Sequence, residues 1–188
     1  NKTNSMKNLI YLLFAIVLLS CAQTENNSIF VSDMNLALGE QERGELGKNL
    51  VGRESPIVMK TETYENGVGI MAPSKLLIDL NGSGVKFEAV VGPCEMSSRR
   101  EGGPGGEAPG GNATANSGPR PISTMQFFIV GDKEILWTSG EMTNEDAPQK
   151  VDLQVAGVKK LALVALSSGR RGGMGAWANA KISYTGNT

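Results

Sequence analysis

From Ser28 onward the chain is a succession of short β-rich runs parted by turn residues, with no amphipathic helical stretch between them. That rhythm leaves antiparallel sheets as the way to bury an apolar core. Lys75 to Leu80 is one run, and it stops at Asn81-Gly82, a hairpin signal. Lys86 to Val91 alternates, with Phe87, Ala89 and Val91 on one face. Met125 to Val130 is almost continuously apolar, as in a strand buried on both faces. Glu134 to Thr138 follows across Gly131-Asp132-Lys133; Val151, Leu153 and Val155 alternate; Leu161 to Leu166 is another apolar run; Ala180 to Tyr184 closes the chain. Met34 to Leu50 reads as one short helix or an irregular loop. The 24 glycines and an aromatic content of 5% agree with turns and strands rather than a helical bundle. The expected fold class is all-β, an antiparallel β-sandwich. The pattern alone does not choose between a jelly roll and other sandwiches.

One stretch breaks the rhythm. Arg99 to Pro121 holds seven glycines and four prolines in 23 residues. Such a segment cannot bury enough apolar surface to offset its ordering entropy. It reads as a flexible insertion between two strands (99–121), or as a contact arm that orders on a protein partner.

The start of the chain has the parts of a targeting segment. Residues 1–5 precede Met6 and read as an upstream extension. Met6-Lys7-Asn8 is a short basic region, and Leu9 to Leu19 is an apolar run of eleven residues. Spanning a bilayer takes roughly 20, so the run fits a signal peptide over 6–20. It ends at Leu18-Leu19-Ser20-Cys21, which resembles the bacterial lipobox. That resemblance implies lipidation of Cys21 and a place on the cell envelope; Ala22 to Asn27 is polar and reads as a tether, so that 21–27 is lipidated cysteine and tether and 28–188 the domain. Ala22 rather than aspartate after Cys21 resembles an outer-membrane sorting signal. Removing residues 1–20 takes away Lys2 and Lys7 and leaves 16 basic against 19 acidic side chains, a charge of −3. Cys94 is then the one ordinary thiol, and a single thiol closes no intramolecular disulfide.

Several chemistries are excluded at this stage. The acidic balance argues against nucleic acid as a partner. With no histidine in the chain, Ser-His-Asp and Cys-His systems and histidine-ligated metals are out. Asp33, Asp79, Asp132, Asp146 and Asp152 are scattered, with no two placed as an acid/base pair. No Gly-Lys-Ser/Thr follows the glycine-rich stretch, so there is no phosphate-binding loop. The expectation is a non-enzymatic protein that calls for no cofactor.

Seven segments taken in order then resemble a known family. They are Phe30 to Asn35, Gly67 to Ser74, Ile78 to Gly82, Phe87 to Gly92, Trp137 to Gly140, Val155 to Leu161 and Trp177 to Ala180. Together they are similar to the NPCBM (NEW2, CBM51-like) domain, a galactose-binding-like jelly roll of bacterial carbohydrate-active proteins. The resemblance implies a jelly roll and a glycan ligand. It also exposes departures. The family's histidine before Ala-Pro-Ser is Met71 here; its aspartate after Val-Gly gives way to Pro93-Cys94; its polar run before Trp-Ala-Asn becomes Met174-Gly175-Ala176. Polar positions at three separate motifs have changed together.

Three sets of candidate site residues follow. Arg99-Arg100 and Arg170-Arg171 each precede Gly-Gly, and arginine forks suit carboxylate, sulfate or phosphate. Trp177 is either a core residue or a platform for stacking a sugar ring. Met71, Cys94 and Met174 make an apolar replacement of the polar site, or a soft-metal site suited to Cu(I). The function expected is non-catalytic binding of a glycan or an anionic envelope polymer by a lipid-anchored protein. The alternative is a structural or protein-interaction subunit of an envelope assembly, with the 99–121 segment as its arm.

Overall fold

Alternation of apolar and polar residues at period two sets the architecture, because successive side chains of a strand leave on opposite faces. The computed structural model describes residues 26–94, 124–169 and 172–185. Among them, the only helical elements are two three-residue 3-10 turns, Val31–Asp33 and Leu36–Leu38. The strands, in chain order, are β1 (Asn26–Phe30), β2 (Gly39–Gln41), β3 (Gly47–Lys48), β4 (Leu50–Val51), β5 (Ser55–Met59), β6 (Glu62–Tyr64), β7 (Gly67–Ala72), β8 (Ser74–Asp79), β9 (Gly84–Pro93), β10 (Met125–Gly131), β11 (Glu134–Met142), β12 (Gln149–Gln154), β13 (Lys160–Ser167) and β14 (Gly173–Thr185).

Two antiparallel sheets form the sandwich. One runs β12-β9-β14-β7-β3, with β1 also paired to β14; the other runs β11-β10-β13-β8-β2. The length of β14 lets it hold β9 along one side, and β7 then β1 along the other. Its register shifts at Asn179, which takes a positive φ of 48° and donates its N–H to the Asn66 carbonyl. Phe87, Ala89 and Val91 of β9 face Phe127 and Ile129 of β10 and Leu161 and Leu163 of β13 in one continuous core. Trp177 sits at its centre, edge-on to Phe127 at 5.4 Å and to Phe87 at 6.5 Å.

A third, small sheet, β4-β5-β6, lies outside the sandwich. Here glycine is required. A Cβ on Gly69 of β7 would collide with the Leu50 backbone of β4, so the bare backbone lets the small sheet approach the large one. Val51, Ile57 and Met59 pack there on Ala176, Ala178 and Cys94 as a second apolar cluster.

Three expectations are corrected. Asn81 and Gly82 do make a left-handed turn (φ 49° and 76°), but β8 and β9 belong to different sheets. The turn is a corner rather than a hairpin, and buried Leu80 fixes the crossing. Met34 to Leu50 is neither one helix nor a plain loop: it holds a 3-10 turn and the short strands β2 and β3. The strand Met125 to Val130 has one fully covered face among the described residues. Phe127 and Ile129 are fully buried, while Gln126, Phe128 and Val130 are only half-buried on the outside.

Candidate functional site

A groove of about 230 Å³ opens beside the end of β7, lined by Gln41, Arg43, Glu45, Arg53, Ile70 and Met71 and by the bare backbone of Gly44, Gly52 and Gly69. Gln41 builds one wall. Its side-chain amide donates to the carbonyls of Arg43 and Glu45 at 2.8 and 2.7 Å, and its Oε1 accepts the Met71 N–H at 2.9 Å. The next residue, Glu42, donates its N–H to the Pro73 carbonyl at 2.9 Å. The 42–46 segment is therefore tied to β7 by an amide whose donors and acceptor are all engaged, which makes Gln41 a brace. Arg43, Glu45 and Arg53 are left exposed on the rim. Neither guanidinium forms an ion pair among the described residues.

Met71 on the floor is the first of three sulfur side chains that the strand order brings side by side. Met174 stands opposite Met71 in the β14–β7 register. The N–H of Cys94, just past β9, donates to the Met174 carbonyl at 2.8 Å. Cys94, Met174 and Met71 thus stand abreast across three neighbouring strand ends. The structure brings together what the sequence spreads over about a hundred positions. Met71 lines the groove, Met174 lies partly buried against the second cluster, and Cys94 is inside it at 3% exposure. Burial pushes the Cys94 thiol up to about 12, against a backbone hydrogen bond with Val58 that lowers it. At neutral pH the row thus sets a protonated thiol beside two thioethers. Beside it, Tyr64 donates to Glu62, and burial together with that carboxylate raises the phenol to about 12.

Trp177, a candidate for sugar stacking, is 1% exposed and enclosed by Phe87 and Phe127, so no ring face is open to a ligand. Trp137 is half-buried on β11, against the main core and away from the groove. Arg99, Arg100, Arg170 and Arg171 lie outside the described residues, as do Cys21, the 6–20 segment and the 99–121 insertion. Gly172, the first described residue after the second arginine pair, lies against Glu42 and the Ala72 carbonyl beside the groove. Sequence reading missed Gln41, Arg43, Glu45 and Arg53. The available signal was the dense polar run from Glu40 to Glu45 between Leu38 and Leu46, a composition typical of a shaped loop.

With this geometry in view, comparison with known proteins decides the family. The NPCBM/NEW2 domain model matches residues 27–183. The chain belongs to that family. No curated protein matches it. Among solved structures, a CBM51 module from Clostridium perfringens GH95, in complex with methyl-galactose, is 22% identical, with a TM-score of 0.62; the match covers 83% of this chain and 99% of that one. The CBM51-2 and INT domains of Clostridium perfringens ZmpB give 17% identity and a TM-score of 0.66 over 85% of this chain, which spans 32% of that one. Tandem CBM51 modules of a Streptococcus pneumoniae family 98 glycoside hydrolase give 19% and 0.65, over 87% of this chain and 49% of theirs. At these identities the likeness is one of fold, and it agrees with the jelly-roll sandwich expected from the sequence. In this NPCBM domain the groove opens at Met71, with Met174 and Cys94 on the two neighbouring strands behind it.

Proposed function

We propose that this NPCBM domain is a non-catalytic glycan-binding module, held on the bacterial envelope by a lipid on Cys21, and that its ligand sits in the groove at Met71. The observation that carries the reading is the groove itself: an apolar floor at Met71 beside the Arg43 and Arg53 guanidinium groups, neither of which forms an ion pair among the described residues. Sugars present apolar ring faces and hydroxyl edges, and the floor and rim match them in that order. A volume of about 230 Å³ lies below the ~300–1,000 Å³ of drug-sized pockets, which suits one or two sugar rings at a chain end. The family membership supports the ligand class, and the relatives solved with methyl-galactose and GlcNAc support a small saccharide. The rim arginines extend the ligand class to anionic envelope polymers. The envelope location rests on the basic, apolar and cysteine-terminated order of residues 6–21.

A glycan array carrying neutral and carboxylated sugars tests this, followed by titration of the best ligand. Arg43→Ala with Arg53→Ala should weaken binding at least tenfold while leaving the melting temperature in place, because both side chains are exposed. An array with no ligand, or an affinity unmoved by the double change, refutes the site.

A further inference from the structure

The outer face of the β11-β10-β13-β8-β2 sheet carries an apolar row that the glycan site does not use. In the register, Leu77 of β8 stands beside Ala162 of β13, Ala162 beside Val130 of β10, and Val130 beside Ile135 of β11. Leu77 is 43% exposed and Ile135 64%, and Leu38, just ahead of β2, is 61% exposed. Phe128 and Val164 widen the row on one side, both half-buried and paired to each other. Solvated faces of antiparallel sheets are ordinarily polar. Here the two central strands carry the composition of strands covered on both faces, yet only one face is covered among the described residues. An apolar row running across four strands of an uncovered face is a feature of interaction surfaces.

We infer that the face pairs with the same face of a second copy of this chain. The charges that border the row select that occupant. Lys75 and Asp79 flank Leu77 on β8, two residues to either side and on the same outer face. A two-fold axis lying in the interface, across the strands and through Leu77, sets Lys75 of each copy opposite Asp79 of the other. The apolar row then lies on itself, as an isologous contact requires. Neither side chain forms an ion pair within the chain among the described residues. Glu40 beside Lys75 and Lys160 beside Asp79 keep both borders near neutral, so no like-charge fence opposes the contact. Sheets packed in this way sit about 10 Å apart, close enough for the two pairs to meet. The 95–123 segment is a poor alternative cover, since Met96 and Ile122 are its only large apolar side chains.

Sedimentation equilibrium of the purified full chain across micromolar to millimolar concentration is the test. The expected result is a monomer–dimer equilibrium that Val130→Lys abolishes, with the fold checked by circular dichroism. Lys75→Asp alone and Asp79→Lys alone should each weaken dimerisation about tenfold, because each breaks two symmetric pairs. The double swap, Lys75→Asp with Asp79→Lys, should restore it. A monomer at every concentration overturns the inference. A dimer indifferent to both single swaps overturns it too, because the contact then uses another surface.

Discussion

Between the two large sheets, Trp177, Phe87 and Phe127 are buried to within 1%, in a core built mostly from long strands such as β9, β10 and β13. On the far side of the six-stranded sheet, Val51, Ile57, Met59 and Cys94 bury themselves just as deeply, but on a two-residue strand, a five-residue strand and a strand end. The main core is closed on both sides by sheets of five and six strands. The second cluster is closed on one side by three short strands that reach it only because Gly69 has no side chain. The candidate groove borders this lighter lobe, while the opposite layer supplies rigidity. A site whose walls are short strands and a braced loop can change its side chains without disturbing the main sandwich.

Truncation in each region measures that difference. Trp177→Ala removes the largest fully buried side chain from a core that cannot collapse, and should cost about 3–5 kcal/mol in denaturant unfolding. Met59→Ala removes a fully buried side chain from the smaller cluster. The three-stranded lobe can settle onto the gap, so the cost should fall at the low end for such changes, about 2 kcal/mol. Its larger consequence should be weaker ligand binding, because Val51 of the same cluster adjoins Gly52 and Arg53 of the groove. Equal losses of stability would mean that the two regions unfold as one rigid body and that the comparison fails.

The same division explains what could be read in advance. Period-two alternation exposed Phe87, Ala89 and Val91 of β9 directly, and ordered resemblance across seven segments chose the jelly roll. The alternation rule says nothing about which sheet a strand joins, so Asn81-Gly82 passed for a hairpin when it is a corner. It also fails for strands of two or three residues, and β2, β3 and β4 are that short. Gln41 braces the groove through contacts to residues 43, 45 and 71, and no local pattern encodes the last of these. The three sulfur residues were singled out in the sequence as departures that the family resemblance implies. Their adjacency came from strand order, which places β14 between β9 and β7.

The smallest effect sharpens the comparison most, since it asks whether the second cluster is as dry as the first. An exposed cysteine titrates near pH 8.5, whereas burial holds Cys94 up to about 12 in the folded chain. Between those values the native state keeps a proton that the unfolded state releases. Stability therefore falls as pH rises through that window, by at most about 1.4 kcal/mol per pH unit. Below pH 8.5 both states keep the proton and the contribution is flat. Tyr64, raised to about 12 by burial and by Glu62, adds a second loss in the same direction above its ordinary value of about 10. The window from pH 8.5 to 10 thus isolates the thiol. Urea unfolding across it should show a falling stability in the parent chain and a flatter one in Cys94→Ala, whatever the two absolute stabilities. If both lines fall in parallel, water reaches Cys94, and the lobe beside the groove is an open flap rather than a second core.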